Sequence, residues 1–477
     1  MQQNKLFFSG ILLTLGNASG AILGFLRNIV IARLISVEDF GIAATFAIAL
    51  QIIEMSSNLA IDRLLIQSKD GDQADLQSTA QALQFLRGLF GTTVMFLASG
   101  LIANLFGLPH LTWAFQLLSL VHLANSFAHF DITRFQRKLR FGPKAIQDVL
   151  PQLLTFLLAA PLAFYFADYR AVLCIIMIQV SLGVLLSHVL AQRKYEWSWN
   201  QAHIKTIFSF GWPLFLNTFL MIGIFQADRF IVGSVFNMET LGWFSAAFTL
   251  TLVPSTLLAK VLQSFFLPIL SKHQSHPANF QYISIAMILI LVIAGFATAV
   301  GFSVAGPSIF LLIFGEKFAA GAPIIALLGL MQGIRVAKEG PIIIALAKAK
   351  TKMPMATNMV RGIWIIAALA SAVIYQDIKM LVWCGILAEF SALIYAFYYI
   401  SNYNLARVKN IFLPSISSLV GTLIIFYLAS NNISGMKPIQ EIAITIFILV
   451  IFIPLFFYLN PIILRMFKIQ GKKFDKF

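Results

Sequence analysis

Long apolar runs alternate with short segments rich in charge, proline and glycine along the whole chain. The runs last about 20 residues, which suits helices crossing a bilayer, whereas the strands of a membrane barrel alternate over about 10. Lipid offers no hydrogen bonds to the backbone, so a spanning segment must be helical or part of a closed barrel. We predict an all-α fold with about 14 transmembrane helices. The predicted spans are residues 7–34, 41–66, 79–106, 111–135, 145–166, 170–191, 204–233, 241–265, 282–305, 319–347, 355–375, 380–401, 411–430 and 441–459.

Composition supports a polytopic membrane protein. Hydrophobic residues make up 59% of the 477 positions and charged residues 11%, which is more apolar surface than one soluble core can hide. The formal charge of +15 would suit a nucleic-acid partner, but the basic residues lie in short loops between apolar runs, which argues against nucleic acid. The two cysteines lie inside apolar segments and support neither a disulfide framework nor a metal site.

The distribution of Lys and Arg predicts the topology. With a cytoplasmic amino terminus, most of the 34 basic residues fall in inner loops and tails. Cytoplasmic loops carry an excess of positive charge, so we expect an even number of spans with both termini in the cytoplasm. We also expect no cleavable signal peptide, because the first apolar run is too long for one. The outer loops would then hold only Arg33, Arg170, Lys317, Lys379 and Lys437.

Two weak internal echoes predict a duplicated unit. Residues 35–46 (ISVEDFGIAATF) align without a gap on residues 236–247 (FNMETLGWFSAA), which pairs Gly41 with Gly242. Farther along, the Phe-Gly pair at 106–107 aligns with the pair at 314–315. Both echoes occur at similar separation and in the same order.

The predicted organisation is two six-helix lobes of the same membrane orientation. Residues 1–200 would form the amino-terminal lobe, residues 201–405 the carboxy-terminal lobe, and residues 406–477 two extra helices and a basic tail. Parallel repeats of this kind occur in transporters that hold substrate between their halves and alternate access by rocking.

Several charged and amide side chains fall inside the predicted spans, where they usually face a cavity or a partner. At 100° per residue, four polar residues share one face of the second span, and three other spans also carry polar faces. The stripe on the second span comprises Gln51, Glu54, Asn58 and Asp62; the other faces hold Asn17 and Arg27, then Asn217, Asp228 and Arg229, and then Gln332, Arg335, Lys338 and Glu339.

Structural explanations compete with a substrate role for these charges. Arg335 and Glu339 are four residues apart and would neutralise each other on one helix, while Asp228 and Arg229 would each find interhelical partners. Near the predicted cytoplasmic ends, we expect Arg63, Lys260 and Arg361 to snorkel to the headgroups.

The excess of arginine over acid favours an anionic substrate, because planar guanidinium groups match phosphate oxygens. We predict ion-coupling groups at Glu54, Asp62, Asp228 and Glu389. The predicted substrate-binding residues are Asn17, Arg27, Asn217, Arg229, Gln332, Arg335 and Lys338.

No recognisable catalytic or cofactor motif is present. The seven histidines lack metal-ligand spacing, and His122 and His129 are either packed or cavity groups. The chain has no phosphate-binding loop, nucleophile elbow or zinc motif. We therefore expect a protein that is not an enzyme and binds no cofactor or metal. A membrane glycosyltransferase or polysaccharide polymerase is the contrasting class, and it would require a nucleotide-sugar domain or an acid pair.

Four motifs in order resemble one transporter family. They are SVEDFG at residues 36–41, its echo METLG at residues 238–242, RFQRKLRF at residues 134–141 and FGEKF at residues 314–318. They are similar to the polysaccharide transporter branch, the lipid-linked oligosaccharide or O-antigen flippases, of the multidrug/oligosaccharidyl-lipid/polysaccharide exporter superfamily. The resemblance covers the first twelve predicted spans and extends to the last two.

The resemblance implies a bacterial inner-membrane flippase. Two lobes around a cationic cavity would move a polyprenyl-pyrophosphate-linked oligosaccharide outward for O-antigen, capsule or exopolysaccharide synthesis. Membrane lipids would be partners, together with a polysaccharide polymerase or export machinery. Two alternatives remain open: a cation-coupled multidrug exporter of the same superfamily, and a flippase for the peptidoglycan lipid precursor.

Overall fold

A computed structural model of the chain describes residues 19–57, 59–403, 405, 440–441 and 443–450. No strand occurs in these residues, which agrees with the predicted all-α fold. Residues 443–450 are helical, and short 3₁₀ helices occupy Pro109–Leu111 and Glu316–Ile324. The α-helices are α1 (residues 19–34), α2 (Val37–Met55), α3 (Ile61–Gln67), α4 (Ala74–Leu105), α5 (Thr112–Ser126), α6 (Asp131–Arg137), α7 (Gly142–Phe166), α8 (Arg170–Val189), α9 (Gln201–Val235), α10 (Met238–Lys272), α11 (Pro277–Val304), α12 (Gly306–Phe314), α13 (Ile325–Ala347), α14 (Lys352–Tyr375) and α15 (Ile378–Asn402).

The outer faces of many helices are apolar. Leu97, Phe164, Ile363 and Ile366 are each more than two-thirds exposed, although they lie within long helices. In water such a surface would drive aggregation, whereas lipid is its natural solvent. Eight helical segments among the described residues are long and apolar enough to cross a bilayer. The chain is a multi-pass membrane protein.

The chain divides into two compact units, Met1–Gly242 and Trp243–Phe477. In the first unit, α4 packs against α5, α7 against α8, and α9 against α2. One apolar cluster joins α1 to α7 and α8 through Ile31, Ala159 and Ile175. The first unit therefore brings together helices that are far apart in the sequence.

The second unit is built around α11 and α13, which are its most extensively buried helices. α15 packs against α13 and α14. Ile288, Ile343 and Ala396 represent the apolar cluster at the junction of α11, α13 and α15. This packing surrounds the polar side chains of α13 with other helices.

Backbone geometry repeats along the chain. Gly107 and Gly315, the glycines of the second sequence echo, both have positive φ, where a side chain would be strained. Leu139 and Ala349 have positive φ after α6 and α13, each between two basic residues. The repeated turns occur in the same order and at nearly the same separation, which supports a duplicated unit.

The same correspondence holds at the next pair of turns. Ala167 and Gln376 take positive φ at the ends of α7 and α14. The following aspartates, Asp168 and Asp377, then accept a hydrogen bond from the backbone N–H two residues later, at 2.8 Å in each case. The same turn, with an aspartate that accepts a backbone N–H, thus precedes both α8 and α15. Such a repetition is expected of two copies of one ancestral unit.

Two predicted spans are wrong in detail. The second is broken: α2 ends at Met55, and Ala60 takes positive φ before α3 begins. Glu54 and Asp62 therefore lie on different helices and do not share one stripe. The fourth is also broken, because α5 ends at Ser126 and α6 follows as a separate short helix. Both breaks contain polar residues, among them Ser56 and Ser57 at the first and His129 at the second, but the prediction treated each span as one continuous helix.

The ends of the other predicted spans differ from the ends of the corresponding helices by a few residues. The tenth predicted span starts with 3₁₀ geometry before α13 begins at Ile325. The thirteenth span, residues 411–430, lies outside the described residues, as do Asn17, Asn58 and parts of the first and last spans.

Candidate functional site

The guanidinium of Arg27 lies in a polar pocket of the first unit. Its Nη1 donates to the Oγ1 of Thr155 at 3.1 Å, to the Oε1 of Gln152 at 3.3 Å, and to the Oε1 of Gln179. Helix α1 supplies the arginine, while α7 and α8 supply the acceptors. All three acceptors are neutral, so they orient the guanidinium without cancelling its charge.

Arg27 makes no ion pair with any carboxylate of the described chain. Its Nε is buried and has no hydrogen-bond acceptor. A buried donor that lacks an acceptor costs free energy, and a buried unpaired charge costs more. The charge of the Arg27 guanidinium is therefore not compensated by a carboxylate among the described residues.

A cavity of about 410 Å³ adjoins this arginine. Gln152 and Gln179, which bind Arg27, also line the cavity. The other lining residues are Gly20, Ala21, Asn125, Ala128, Gln147, Asp148, Pro151, Val180, Gly183 and Val184. Amide groups both donate and accept hydrogen bonds, so this lining suits a ligand rich in hydroxyl groups.

The polar faces predicted from the sequence did not include the residues that bind Arg27, although the sequence carries a signal for them. Asp148, Gln152 and Thr155 lie four and then three residues apart on α7, which places them on one helix face. Gln179 is a single amide in the apolar helix α8. Applying the rule used for the second span to α7 would have found the partners of Arg27.

A second polar cluster in the first unit joins three helices. Arg87 of α4 forms an ion pair with Oε1 of Glu54 on α2. The Nδ1 of His122, on α5, lies 3.5 Å from the Oε2 of the same carboxylate. One turn earlier on α2, Gln51 accepts a hydrogen bond from Gln226 of α9.

The second unit contains a buried cluster around Glu389 of α15. Lys338 Nζ lies 2.5 Å from Oε2, while guanidinium nitrogens of Arg335 and Arg361 lie 2.8 and 2.9 Å from Oε1. Glu389 is 1% exposed. Three cations from α13 and α14 thus surround one carboxylate, and the cluster ties the three helices together.

The Glu389 cluster corrects two expectations. Arg361 does not snorkel to the headgroups, because its side chain is buried and turned to Glu389. Arg335 binds Glu389 rather than relying on Glu339 four residues along its own helix. In both cases a carboxylate distant in sequence supplies the buried counter-charge. Gln332, one turn before Arg335, is fully buried and neither of its amide atoms has a partner.

The remaining predicted site residues do not belong to the Arg27 pocket or to the Glu389 cluster. Asp62 lies on α3 and accepts a hydrogen bond from Thr133 at 3.4 Å. Asp228 and Arg229 lie half-buried on α9. Asn17, like the side chain of Asn217, lies outside the described residues.

Asp131 at the start of α6 fixes the segment between α8 and α9. Its Oδ2 accepts backbone N–H groups of Gln192 at 2.7 Å and of Arg193 at 3.2 Å, while Arg134 binds both oxygens. Burial raises the pKa of Asp131, but these hydrogen bonds outweigh it and hold that pKa below the ordinary value. The carboxylate is therefore a structural clamp rather than part of the cavity.

Comparison with known proteins identifies the family. Residues 30–323 match the family described as "polysaccharide biosynthesis protein", which is well over half of the chain. The chain belongs to this family. It is therefore a multi-pass membrane protein of a polysaccharide biosynthesis family. The resemblance carried by the four motifs is confirmed.

Individual relatives of this protein are distant. An "uncharacterized membrane protein in cps region" of Klebsiella pneumoniae is 20% identical over 358 residues, 74% of each chain. The "teichuronic acid biosynthesis protein TuaB" of Bacillus subtilis is 22% identical over 297 residues, 61% of this chain and 60% of that one. The fold is similar to a structure of "Lipid II flippase MurJ, inward closed conformation", with a TM-score of 0.75 and 15% identity over 94% of this chain and 99% of that chain.

Proposed function

We propose that this transporter flips a polyprenyl-pyrophosphate-linked oligosaccharide from the inner to the outer leaflet. The observation that carries the proposal is Arg27, a guanidinium held by neutral side chains beside an amide-lined cavity. The charge suits a phosphate oxygen, and the amides suit sugar hydroxyl groups. The prenyl chain would remain in lipid.

A polar path is needed because the head group cannot cross hydrocarbon unaided. Removing a charge or a hydroxyl group from water without a replacement partner costs several kcal/mol for each group. The polar side chains of the Arg27 pocket would replace part of the lost hydration. Alternating access between two six-helix lobes, with 14 helices and both termini inside, completes the proposal.

The cations of the second unit would contribute less directly to binding the phosphate groups. Arg335 and Lys338 are compensated by Glu389, so an anion must compete with that carboxylate for them. Arg335 is the more accessible of the two, with 15% of its side chain exposed against 4% for Lys338. We therefore assign the first phosphate contact to Arg27 and a secondary contact to Arg335.

The test is mass spectrometry of polyprenyl-linked lipids from a strain lacking the protein. We expect a complete polyprenyl-pyrophosphate oligosaccharide to accumulate and to disappear on complementation with the wild-type gene. Unchanged lipids together with an intact surface polysaccharide would contradict the proposal. Dye efflux measured in the same strains would then test multidrug export.

Complementation with variants connects the phenotype to the site. Arg27→Ala should leave the lipid accumulated, because the neutral acceptors remain but the charge is lost. Arg63→Ala is the matched control, since Arg63 is an exposed arginine of the same unit. Equal expression of both variants must be verified in the membrane fraction.

A further inference from the structure

We infer that the cavity beside Arg27 recognises the sugar bonded directly to the pyrophosphate, and that Asp148 makes this site selective for a neutral sugar over an acidic one. The inference rests on the proposed function, because it takes the pyrophosphate contact of Arg27 as given. It adds the chemical class of the sugar and a residue that determines specificity.

The cavity lies directly next to the side chains that bind Arg27. Gln152 and Gln179 accept hydrogen bonds from the guanidinium through Oε1 and also line the cavity, so a single carboxamide group separates the two. A pyrophosphate on Arg27 therefore directs the sugar bonded to it into this cavity. The volume of about 410 Å³ lies toward the low end of the roughly 300–1,000 Å³ of small-ligand pockets, which suits one sugar rather than a whole oligosaccharide.

The lining offers unoccupied hydrogen-bonding groups to a sugar. Because Oε1 of Gln152 and Oε1 of Gln179 bind Arg27, each Nε2 remains as a donor, and neither has an acceptor among the described residues. The carboxamide of Asn125 likewise forms no hydrogen bond with the described residues. Hydroxyl groups both donate and accept hydrogen bonds, so a sugar ring can satisfy all of these groups.

Asp148 is the one charged residue among those that line the cavity in the described part of the chain. Its Oδ1 accepts a hydrogen bond from Lys144 Nζ at 2.7 Å, whereas its Oδ2 forms no hydrogen bond or ion pair with the described residues. An ionised carboxylate can only accept hydrogen bonds. Oδ2 therefore accepts a hydroxyl group of a neutral sugar, whereas the carboxylate of an acidic sugar brings no proton to it.

The cations near the cavity do not compensate an acidic sugar. Lys144 is bound by Asp148, and Arg27 is occupied by the pyrophosphate in the proposed complex. A sugar carboxylate that enters the cavity meets the like charges of Asp148 and of the phosphate, and it loses water that no counter-ion replaces. Lys144 weakens the repulsion without abolishing it, since it binds the other oxygen and is not among the lining residues.

A purely structural ion pair is the competing explanation of Asp148. Lys144 and Asp148 are four residues apart on α7, and each side chain is 33% exposed. Pairs of this kind on accessible helix surfaces contribute little to stability. Variants of either residue should therefore fold, and their effects on sugar selectivity separate the two explanations.

The position of Asp148 along α7 agrees with a role early in flipping. The helix begins at Gly142, so Asp148 lies within its first two turns. The predicted topology places this end of α7 on the cytoplasmic side, where the lipid-linked sugar is bound before it is flipped.

Selectivity is measured by native mass spectrometry of the purified full-length protein with three synthetic lipids. They are polyprenyl pyrophosphate without a sugar, polyprenyl-pyrophosphate glucose and polyprenyl-pyrophosphate glucuronic acid; the last two differ only by a carboxylate in place of a hydroxymethyl group. The wild type should bind the glucose lipid most tightly, by about tenfold over the glucuronic acid lipid. Binding of none of the three would contradict the proposed function, whereas equal binding of all three would overturn only the inference.

Two variants break the same ion pair but change the charge of the site in opposite directions. Asp148→Asn should reduce the preference for glucose over glucuronic acid to about threefold or less, whereas Lys144→Gln leaves the carboxylate uncompensated and should increase it. Asp70→Asn, at an exposed position between α3 and α4, is the control and should keep the wild-type preference. An unchanged preference in Asp148→Asn, or the same change in both pair variants, would overturn the role of Asp148.

Filling the cavity tests where the sugar binds. Gly20 lines the cavity, and a Cβ added there would have as its nearest neighbour the carbonyl oxygen of Asp148 at 3.9 Å. Gly20→Leu should therefore fold and abolish the preference for the glucose lipid over the lipid without a sugar. Gly100→Leu on α4, where the nearest atom lies at 4.0 Å, is the control outside the lining. A wild-type sugar preference in Gly20→Leu would overturn the assignment of the sugar to this cavity.

Discussion

Gly41 and Gly242 are packed reciprocally against each other's helices. A methyl group on Gly41 would overlap the carbonyl oxygen of Met238, and one on Gly242 would overlap the carbonyl oxygen of Val37. In the sequence echo Gly41 is paired with Gly242 and Val37 with Met238, so the contact is the same when viewed from either copy. The starts of α2 and α10 thus pack closely against each other at these two glycines.

We predict that Gly41→Ala and Gly242→Ala each destabilise the protein to a similar degree. The added methyl group meets rigid backbone, so the helices must separate, at a cost of about 1–3 kcal/mol. Thermal unfolding of the detergent-purified variants measures the effect. Gly301→Ala is the control: it lies in α11 with open space around it, and should be neutral or slightly stabilising. Unchanged melting temperatures for both glycine variants would contradict this close packing.

Glu389→Gln should be strongly destabilising. It leaves Arg335, Lys338 and Arg361 without their shared carboxylate, and removing one partner of a buried ion pair costs about 3–5 kcal/mol. The yield of monodisperse protein and its melting temperature report the loss. Glu316→Gln, at an exposed position in the same unit, should behave like the wild type. A stable Glu389→Gln variant would show that the three cations have other compensation.

Asp168→Ala and Asp377→Ala should each lower stability by about 1 kcal/mol, because each removes a side-chain acceptor for a backbone N–H in the first turn of a helix. Asp168 also forms an ion pair with Arg170, but that pair is largely exposed and adds little. Melting temperatures of the two variants should therefore fall by similar amounts. A loss confined to one variant would contradict the structural equivalence of the two turns.

Asp131→Asn should weaken the clamp on the segment between α8 and α9. The lowered pKa of Asp131 means that its ionised form stabilises the fold above its unfolded-state pKa, and that this contribution is lost as pH falls through the folded-state pKa. The difference in melting temperature between variant and wild type should therefore be constant from about pH 5 to 7 and shrink only in stronger acid. A difference that changes near neutral pH would contradict this assignment.

The sequence predicted the helical class and paired Gly107 with Gly315, because hydropathy and glycine position depend on local chemistry. Arg27 and Glu54 were found as polar residues in apolar helices, but their partners were not predicted. Arg27 meets α7 and α8, and Glu54 meets α4 and α5. Such pairings depend on how helices pack, and no periodicity within one helix encodes that.

The breaks in the second and fourth predicted spans were also not predicted from local sequence. Ala60 takes positive φ just before α3 begins, although alanine is the best helix former, so helix propensity does not explain the conformation of this residue. Arg361 was predicted to reach the headgroups because of its position near a helix end. Its partner Glu389 lies on the next helix, and only the folded chain brings the two together.

The central claim is that Arg27 holds the pyrophosphate during flipping. The most direct measurement is the initial flipping rate of the extracted polyprenyl-linked oligosaccharide in proteoliposomes containing wild type, Arg27→Lys, Arg27→Ala or Arg63→Ala. We expect Arg63→Ala to match the wild type, Arg27→Lys to retain a reduced rate because the charge survives without the planar hydrogen-bond geometry, and Arg27→Ala to lose flipping. A wild-type rate in Arg27→Ala would contradict the account.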